Sequence, residues 1–187
     1  MDNMEYTDVM LDLETMGNKS NAAIVSIGAV EFNLETGETG REFYKVVDLQ
    51  SSLDYGLNVN GSTIYWWLQQ SEAARKRICE KGDNLAGVLG EFNLWMQDCV
   101  EKVKIWGNGA RFDIGILEDA YVACQLETPW YFRSEMDVRT LVALKPEIKA
   151  TFPNIGVEHD PIDDCKHQIG YCCATWRSLN KPKEVKG

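Results

Sequence analysis

The second and third strand-length segments of this chain are joined by a single short turn, and that pairing constrains the fold more than any other feature. Ile24-Val25-Ser26-Ile27-Gly28-Ala29-Val30-Glu31-Phe32 is rich in β-branched residues, Asn33-Leu34-Glu35-Thr36-Gly37-Glu38 supplies turn formers, and Glu42-Phe43-Tyr44-Lys45-Val46-Val47 resumes the strand pattern. The pair reads as an antiparallel hairpin, preceded by a strand over residues 7–13. Beyond residue 60 the period changes. Ile64, Trp67, Leu68, Ala74 and Ile78 recur at helical spacing after the cap candidates Ser62 and Thr63, and Leu85, Val88, Leu89, Phe92, Met96 and Cys99 form a cleaner stripe. A strand at 103–107 follows, then a helix with Ile114, Leu117, Tyr121 and Cys124 inward. Pro129-Trp130-Tyr131-Phe132 reads as a short fifth strand, followed by a helix through Val138, Leu141 and Leu144 that Pro146 ends. The last helix buries Ile169, Cys172 or Cys173, Trp176 and Leu179. Strands first and alternation afterwards predict an α/β layered domain, with a mixed five-stranded sheet flanked by helices.

The 187 residues fit one domain spanning 1–187, with its core at about 7–179 and a frayed tail at 181–187. The longest apolar runs are strand-length and the acidic start Met1-Asp2-Asn3-Met4-Glu5 leads into no apolar segment, so neither a membrane span nor a signal peptide is expected, and the expected location is cytoplasmic. Six cysteines lack Cys-x-x-Cys spacing, which suits reduced, mostly buried thiols and implies neither zinc nor a disulfide framework. The net charge of −10 argues against tight nonspecific duplex binding. The objection weakens for a protein that grips a few terminal nucleotides and lets bound cations answer the phosphate charge.

The chemistry-bearing residues fall in three places. Val9-Met10-Leu11 runs into Asp12-Leu13-Glu14, and alternation along a strand puts Asp12 and Glu14 on one face with Leu11 and Leu13 on the other. Neighbouring buried acids repel unless protonated or neutralised, for which a divalent cation serves; solvated charges at a strand end are the plain alternative. In Trp106-Gly107-Asn108-Gly109-Ala110-Arg111-Phe112-Asp113 a strand breaks at glycines and restarts as a helix, with Asp113 in its first turn. In His159-Asp160-Pro161-Ile162-Asp163-Asp164 a histidine stands five residues before an aspartate that opens the last helix. Asp113, Asp163 and Asp164 also suit first turns for the dipole alone.

Asp-x-Glu, a mid-chain Asp and His-x4-Asp in this order resemble the DEDDh exonucleases, at Asp12, Glu14, Asp113, His159 and Asp164. The wording Asp12-Leu-Glu-Thr-Met-Gly, Trp66-Trp67, Trp106-Gly-Asn-Gly and Asp163-Asp164-Cys-Lys-His-Gln is similar to the phage and bacterial exodeoxyribonuclease VIII-like and 3′–5′ exoribonuclease group. The resemblance implies a ribonuclease-H-like fold in which these residues converge beside the first strand. It implies a metal-dependent 3′–5′ exonuclease acting on single-stranded DNA or RNA ends. The four acids would hold two Mg²⁺ ions, for which Mn²⁺ substitutes, Asp12 bridging both, Glu14 and Asp164 completing the site that orients water, and Asp113 holding the second. His159 would take the proton of the attacking water. Its neighbour Asp163 would be the ligand if the register shifted, but His-x4-Asp spacing favours Asp164.

In the family the backbone of Thr15, Met16 and Gly17 and the side chain at the Met16 position hold the terminal nucleotide. Helical spacing makes Trp67 core and leaves Trp66 for base stacking, with simple packing the alternative. Asn108 orients backbone or contacts sugar; Arg111 reaches a phosphate or is solvated; His167 lies one turn beyond Asp164, beside the site or at the surface. Asp160 and Pro161 depart from the family's usual residues, and Pro161 stiffens the histidine loop. Many members are dimers, so a homodimer is compatible with the resemblance. A noncatalytic nucleic-acid or nucleotide-binding module on the same fold is the competing reading.

Overall fold

β1 (Asp8–Thr15) is the central strand of a five-stranded sheet ordered β3-β2-β1-β4-β5. β2 (Ile24–Phe32) pairs antiparallel with β1 and β3 (Thr39–Val46) antiparallel with β2, whereas β4 (Lys104–Gly107) and β5 (Glu135–Asp137) continue the sheet in parallel on the other side. The computed structural model describes residues 6–97, 99, 103–153, 156 and 159–180; the expected tail at 181–187 lies outside these. The hairpin turn is closed by the Asn33 N–H on the Glu38 carbonyl, and Gly37 takes φ 79° there, a conformation that favours glycine. β3 starts earlier than its apolar pattern because Thr39 pairs with Phe32 across a register shift.

Strand alternation divides the core in two. Val9, Leu11 and Leu13 face α4 (Leu85–Gln97) and α5 (Asp113–Ala123), burying Leu89, Phe92, Leu117 and Tyr121 with them. Met10 faces the opposite layer, where α6 (Val138–Val142) and the long α8 (Pro161–Asn180) contribute Val138, Cys165, Ile169 and Cys172.

Between β3 and α4 the chain forms three short helices, α1 (Leu49–Asp54), α2 (Gly61–Leu68) and α3 (Glu72–Ile78). The single expected stripe over 64–78 is broken because Asn60 and Ser71 each accept a backbone N–H and start separate helices. Trp67 and Ala74 are buried, but Ile64 and Leu68 face solvent. Pro129–Phe132 is not a strand: Trp130 turns inward, its Nε1 donating to Glu135, while Tyr131 and Phe132 are exposed. The fifth strand is the three-residue β5 just after it. Pro146 opens α7 (Pro146–Thr151), a role its fixed φ suits. At the end of α8 both Cys172 and Cys173 are buried and Leu179 is exposed.

Two glycines set how closely helices approach the centre of the sheet. Gly28 is paired opposite Asp12, and a Cβ there would overlap Pro161, so the first turn of α8 rests on bare backbone beside Asp12. Gly107 ends β4 opposite Leu11, and a Cβ there would lie 3.2 Å from that of Asp113.

Candidate active site

Acidic side chains from three elements gather at the C-terminal end of β1. Asp12 and Glu14 share the face that α8 covers. Gln168 Nε2 donates to Asp12 Oδ1 at 2.8 Å. Asp113, at the start of α5, is 3% exposed and its Oδ1 accepts the Leu13 N–H at 3.4 Å, which ties α5 to β1. Asp164 lies in the first turn of α8, and ligating atoms of Glu14, His159 and Asp164 all lie within 4.8 Å of one another. Asp163 instead lies against Gly156.

These carboxyls hold protons more tightly than usual. Burial is the main cause for Asp12, reinforced by Asp113, Glu14 and Asp164 and opposed by the Gln168 amide. Glu14 is raised by burial and by Asp164, Asp113 and Asp160. Burial pushes Asp113 up to about 7, against the opposing effect of N–H groups from Leu13 and Asn108 and of Arg139. Asp164 is raised by burial, opposed by the His159 N–H and the two histidine rings. Burial is the common cause, and repulsion from neighbouring acids adds to it most at Asp12 and Glu14.

His159 is held on three sides. Its backbone takes φ 65°, uncommon for a residue with a Cβ, and its N–H donates to Asp164 Oδ2 at 3.1 Å. Its ring meets Trp66 edge-on at 4.9 Å and Trp67 at 5.8 Å. Asp160 then caps α8, Oδ1 accepting the N–H groups of Ile162 and Asp163, with Pro161 in the first helical position. Arg77 of α3 reaches across: its Nε and Nη2 both donate to Asp160 Oδ2, at 2.8 and 2.6 Å, and its guanidinium lies 4.6 Å from the centre of the Tyr44 ring. The two residues that depart from the family pattern therefore form the cap that seats the histidine.

The other flank is built around Gly109, at φ 107°. Asp137 at the end of β5 accepts the Ala110 N–H through Oδ2 and the Thr140 N–H through Oδ1, each at 2.7 Å, joining the loop before Asp113 to the start of α6. Although burial pushes the Asp137 carboxyl up, those N–H donors hold it below its ordinary value. A groove of about 810 Å³ opens here between residues 18–20 and 109–112, bordered by Arg139. Asn108 Oδ1 and Gln168 Oε1 are buried and have no hydrogen-bond partner among the described residues.

Of the expected nucleotide-holding residues, Thr15, Met16 and Gly17 are all buried. The Thr15 carbonyl accepts Trp67 Nε1 at 3.0 Å, Met16 packs into the core, and Gly17 lies against Ala22 and Asn58. Trp67 is 3% exposed and Trp66 42%, so one indole supports the strand end and the other presents a face beside His159. His167 is half-buried and packs between Phe152 and Tyr171.

A family model described as the 3′-5′ exoribonuclease Rv2179c-like domain matches residues 7–176. The chain belongs to that family of 3′–5′ exonucleases. It is 30% identical over 196 residues to an exodeoxyribonuclease of Enterobacteria phage T4, covering 87% of this chain and 86% of the phage protein. Its fold matches the nuclease domain of 3′hExo, a DEDDh family member bound to rAMP, at a TM-score of 0.67 and 13% identity over 95% of both chains. It also matches cell-death related nuclease 4, at a TM-score of 0.69 and 14% identity over 93% of this chain; this exonuclease spans 64% of that one. The E. coli ExoI–ssDNA complex superposes at a TM-score of 0.63 with 16% identity, covering 96% of this chain and 42% of ExoI. These likenesses establish the ribonuclease-H-like exonuclease fold.

The donor set of this exonuclease fits a divalent cation. Carboxylate oxygens are the hard donors that Mg²⁺ and Mn²⁺ prefer, and the raised proton affinity of Asp12, Glu14 and Asp164 marks a negative charge density that a cation would relieve. Gln168, whose amide donates to Asp12, and Asn108, whose backbone N–H meets Asp113, each keep a buried amide oxygen without a partner among the described residues, which suits water bound at such a site.

Sequence reasoning missed Gln168, Asp137 and Arg77. Gln168 carried a signal, since it stands four residues after Asp164 on a helix and so shares its face. Asp137 ends a strand too short to read, and nothing local links Arg77 to a loop more than eighty residues away.

Proposed function

We propose that this exonuclease removes nucleotides one at a time from the 3′ ends of single-stranded DNA or RNA, releasing nucleoside 5′-monophosphates, and that residues 7–179 form a single catalytic domain. Asp12, Glu14, Asp113 and Asp164 hold two Mg²⁺ ions, and His159 is the general base. The observation that carries this reading is the clustering of Glu14, His159 and Asp164 within 4.8 Å, on the face that also bears Asp12. When bound, the cations neutralise charge developing on the phosphoryl oxygens and make water acidic enough to attack at neutral pH.

The chain's own residues supply the rest. Asp12, which feels Asp113, Glu14 and Asp164, would help to hold both cations, with Glu14 and Asp164 contributing on the His159 side and Asp113 on the other. His159, seated by the Asp164 carboxylate and the two indoles, takes the proton of the attacking water. As the new P–O bond forms, the bond to the 3′ oxygen of the preceding nucleotide breaks, and that oxygen leaves and is protonated. Trp66 stacks on the terminal base, the buried Thr15–Gly17 segment supports the terminal nucleotide from beneath, and Asn108 orients backbone or contacts sugar. The family model is described for exoribonucleases and the phage relative is an exodeoxyribonuclease, so the reading covers both polymers.

The test uses matched RNA and DNA oligonucleotides, labelled at either end, with magnesium. The 3′ label should appear first as mononucleotide, the 5′-labelled strand should shorten stepwise, and Asp12→Ala should abolish both. Unchanged turnover in that variant removes the site.

A further inference from the structure

In a chain of net charge −10, several cations are already neutralised: Arg41 pairs with Glu31, Lys45 with Glu91, Arg77 with Asp160 and Lys166 with Glu42. Among the described residues Lys19, Arg111 and Arg139 make no salt bridge, and all three border the groove between residues 18–20 and 109–112. Each is exposed. These three positive charges share the groove lining with one acid, Asp137, whose two oxygens accept the Ala110 and Thr140 N–H groups, and together they form a local anion site on an acidic protein.

Topology fixes where this groove lies relative to the chemistry. His159 and Trp66 stand on the β2–β3 side of β1, since the first turn of α8 rests on Gly28 of β2 and Arg77 joins Asp160 to the Tyr44 ring of β3. Asp113 stands on the β4 side, and the loop that leads into it is one wall of the groove. In-line displacement puts the attacking and departing oxygens on opposite sides of phosphorus. With water activated from the His159 side, the departing 3′ oxygen lies on the Asp113 side. That oxygen belongs to the penultimate nucleotide, so the rest of the strand must leave the site over the groove.

We infer that this groove carries the upstream part of a single-stranded polynucleotide, with Lys19, Arg111 and Arg139 binding backbone phosphates beyond the scissile bond. The inference rests on the proposed role of His159. Phosphate contacts of this kind position a strand without reading its sequence. The groove therefore favours strands over dinucleotides, whose upstream part ends before reaching it.

Steady-state kinetics of the wild type, Lys19→Glu, Arg111→Glu and the double variant on a dinucleotide and a dodecamer test this, together with dodecamer binding in EDTA by fluorescence anisotropy. Arg139 is left unchanged because it packs on Gly109 and acts on Asp113. Each reversal should cut selectivity for the dodecamer over the dinucleotide by about tenfold, chiefly through KM, and lower the slope of log KM against log salt by about 0.7 per cation lost. Equal losses on both substrates, or none on either, overturn the groove assignment and leave the exonuclease reading standing. If the wild type cleaves nothing, the exonuclease reading fails instead; dodecamer affinity unchanged in the double variant then overturns the groove as well.

Discussion

Asp113→Asn should make the metal-free protein more stable at alkaline pH, although it removes a proposed metal ligand. The Asp113 carboxyl titrates at about 7 in the fold against an ordinary value of 3.8, so the folded protein holds this proton more tightly than the unfolded chain. The contribution is complete below the ordinary value of 3.8 and is lost as pH rises through about 7. A difference of about three pH units corresponds to about 4 kcal/mol, an upper limit to what ionisation of Asp113 costs the metal-free fold above neutrality. The amide keeps an oxygen for one of the N–H groups, those of Leu13 and Asn108, that the carboxyl meets, and it carries no charge to bury, so part of that cost should be recovered, about 2 kcal/mol, or about 4–8 °C in Tm for a chain of this size. Thermal melts in EDTA at about pH 8 and about pH 5 would show the variant more stable at the higher pH and the gain shrinking at the lower. Magnesium should raise the wild-type Tm more than the variant's, because a ligand that binds only the folded state stabilises by mass action. A variant no more stable than wild type at the higher pH, or a difference independent of pH, would refute the reasoning.

Four other outcomes follow from the same geometry. His159→Ala should lower kcat by about 10²–10⁴-fold with KM little changed, measured by release of a 3′-terminal nucleotide. Arg77→Met should lower kcat several-fold without a matching change in KM or Tm, because it frees the cap that seats His159 while removing a half-exposed ion pair worth about 1 kcal/mol or less; Asp160→Asn should behave alike, and the two losses should not add. Gly28→Ala should cost about 1–3 kcal/mol by pushing Pro161 and the start of α8 off the sheet, read as a lower Tm together with lost activity. Trp66→Ala should raise KM by about 5- to 100-fold, the range expected for losing one base–aromatic stack, while Trp67→Ala should lower Tm.

The parts of the fold that could be read in the sequence are those where a local pattern and its tertiary role coincide. β2 is buried along its whole length, so its apolar run and its bounds agree. Asp12 and Glu14 share a face because a strand must alternate, and helical spacing separated Trp67 from Trp66 correctly. Elements whose limits depend on distant partners were not legible. The break between α2 and α3 lies in the caps Asn60 and Ser71 rather than in the apolar period, and β5 is three residues long, too short to show alternation. The apolar run Pro129–Phe132 misled because of its four residues only Trp130 is buried, against the Tyr121 ring at 5.7 Å. The candidate acids and His159 could be named in advance, but the clasp of Arg77 on Asp160 and the amide of Gln168 on Asp12 appear only once distant segments are folded together.

Crystals grown with manganese and a nonhydrolysable 3′-terminal oligonucleotide provide the most direct measurement. Anomalous scattering should show two ions at the end of β1, both reached by Asp12, one also by Glu14 and Asp164 and the other by Asp113, with His159 within hydrogen-bonding reach of water on the first. No anomalous peak there, or an imidazole directed away from that water, would contradict the account.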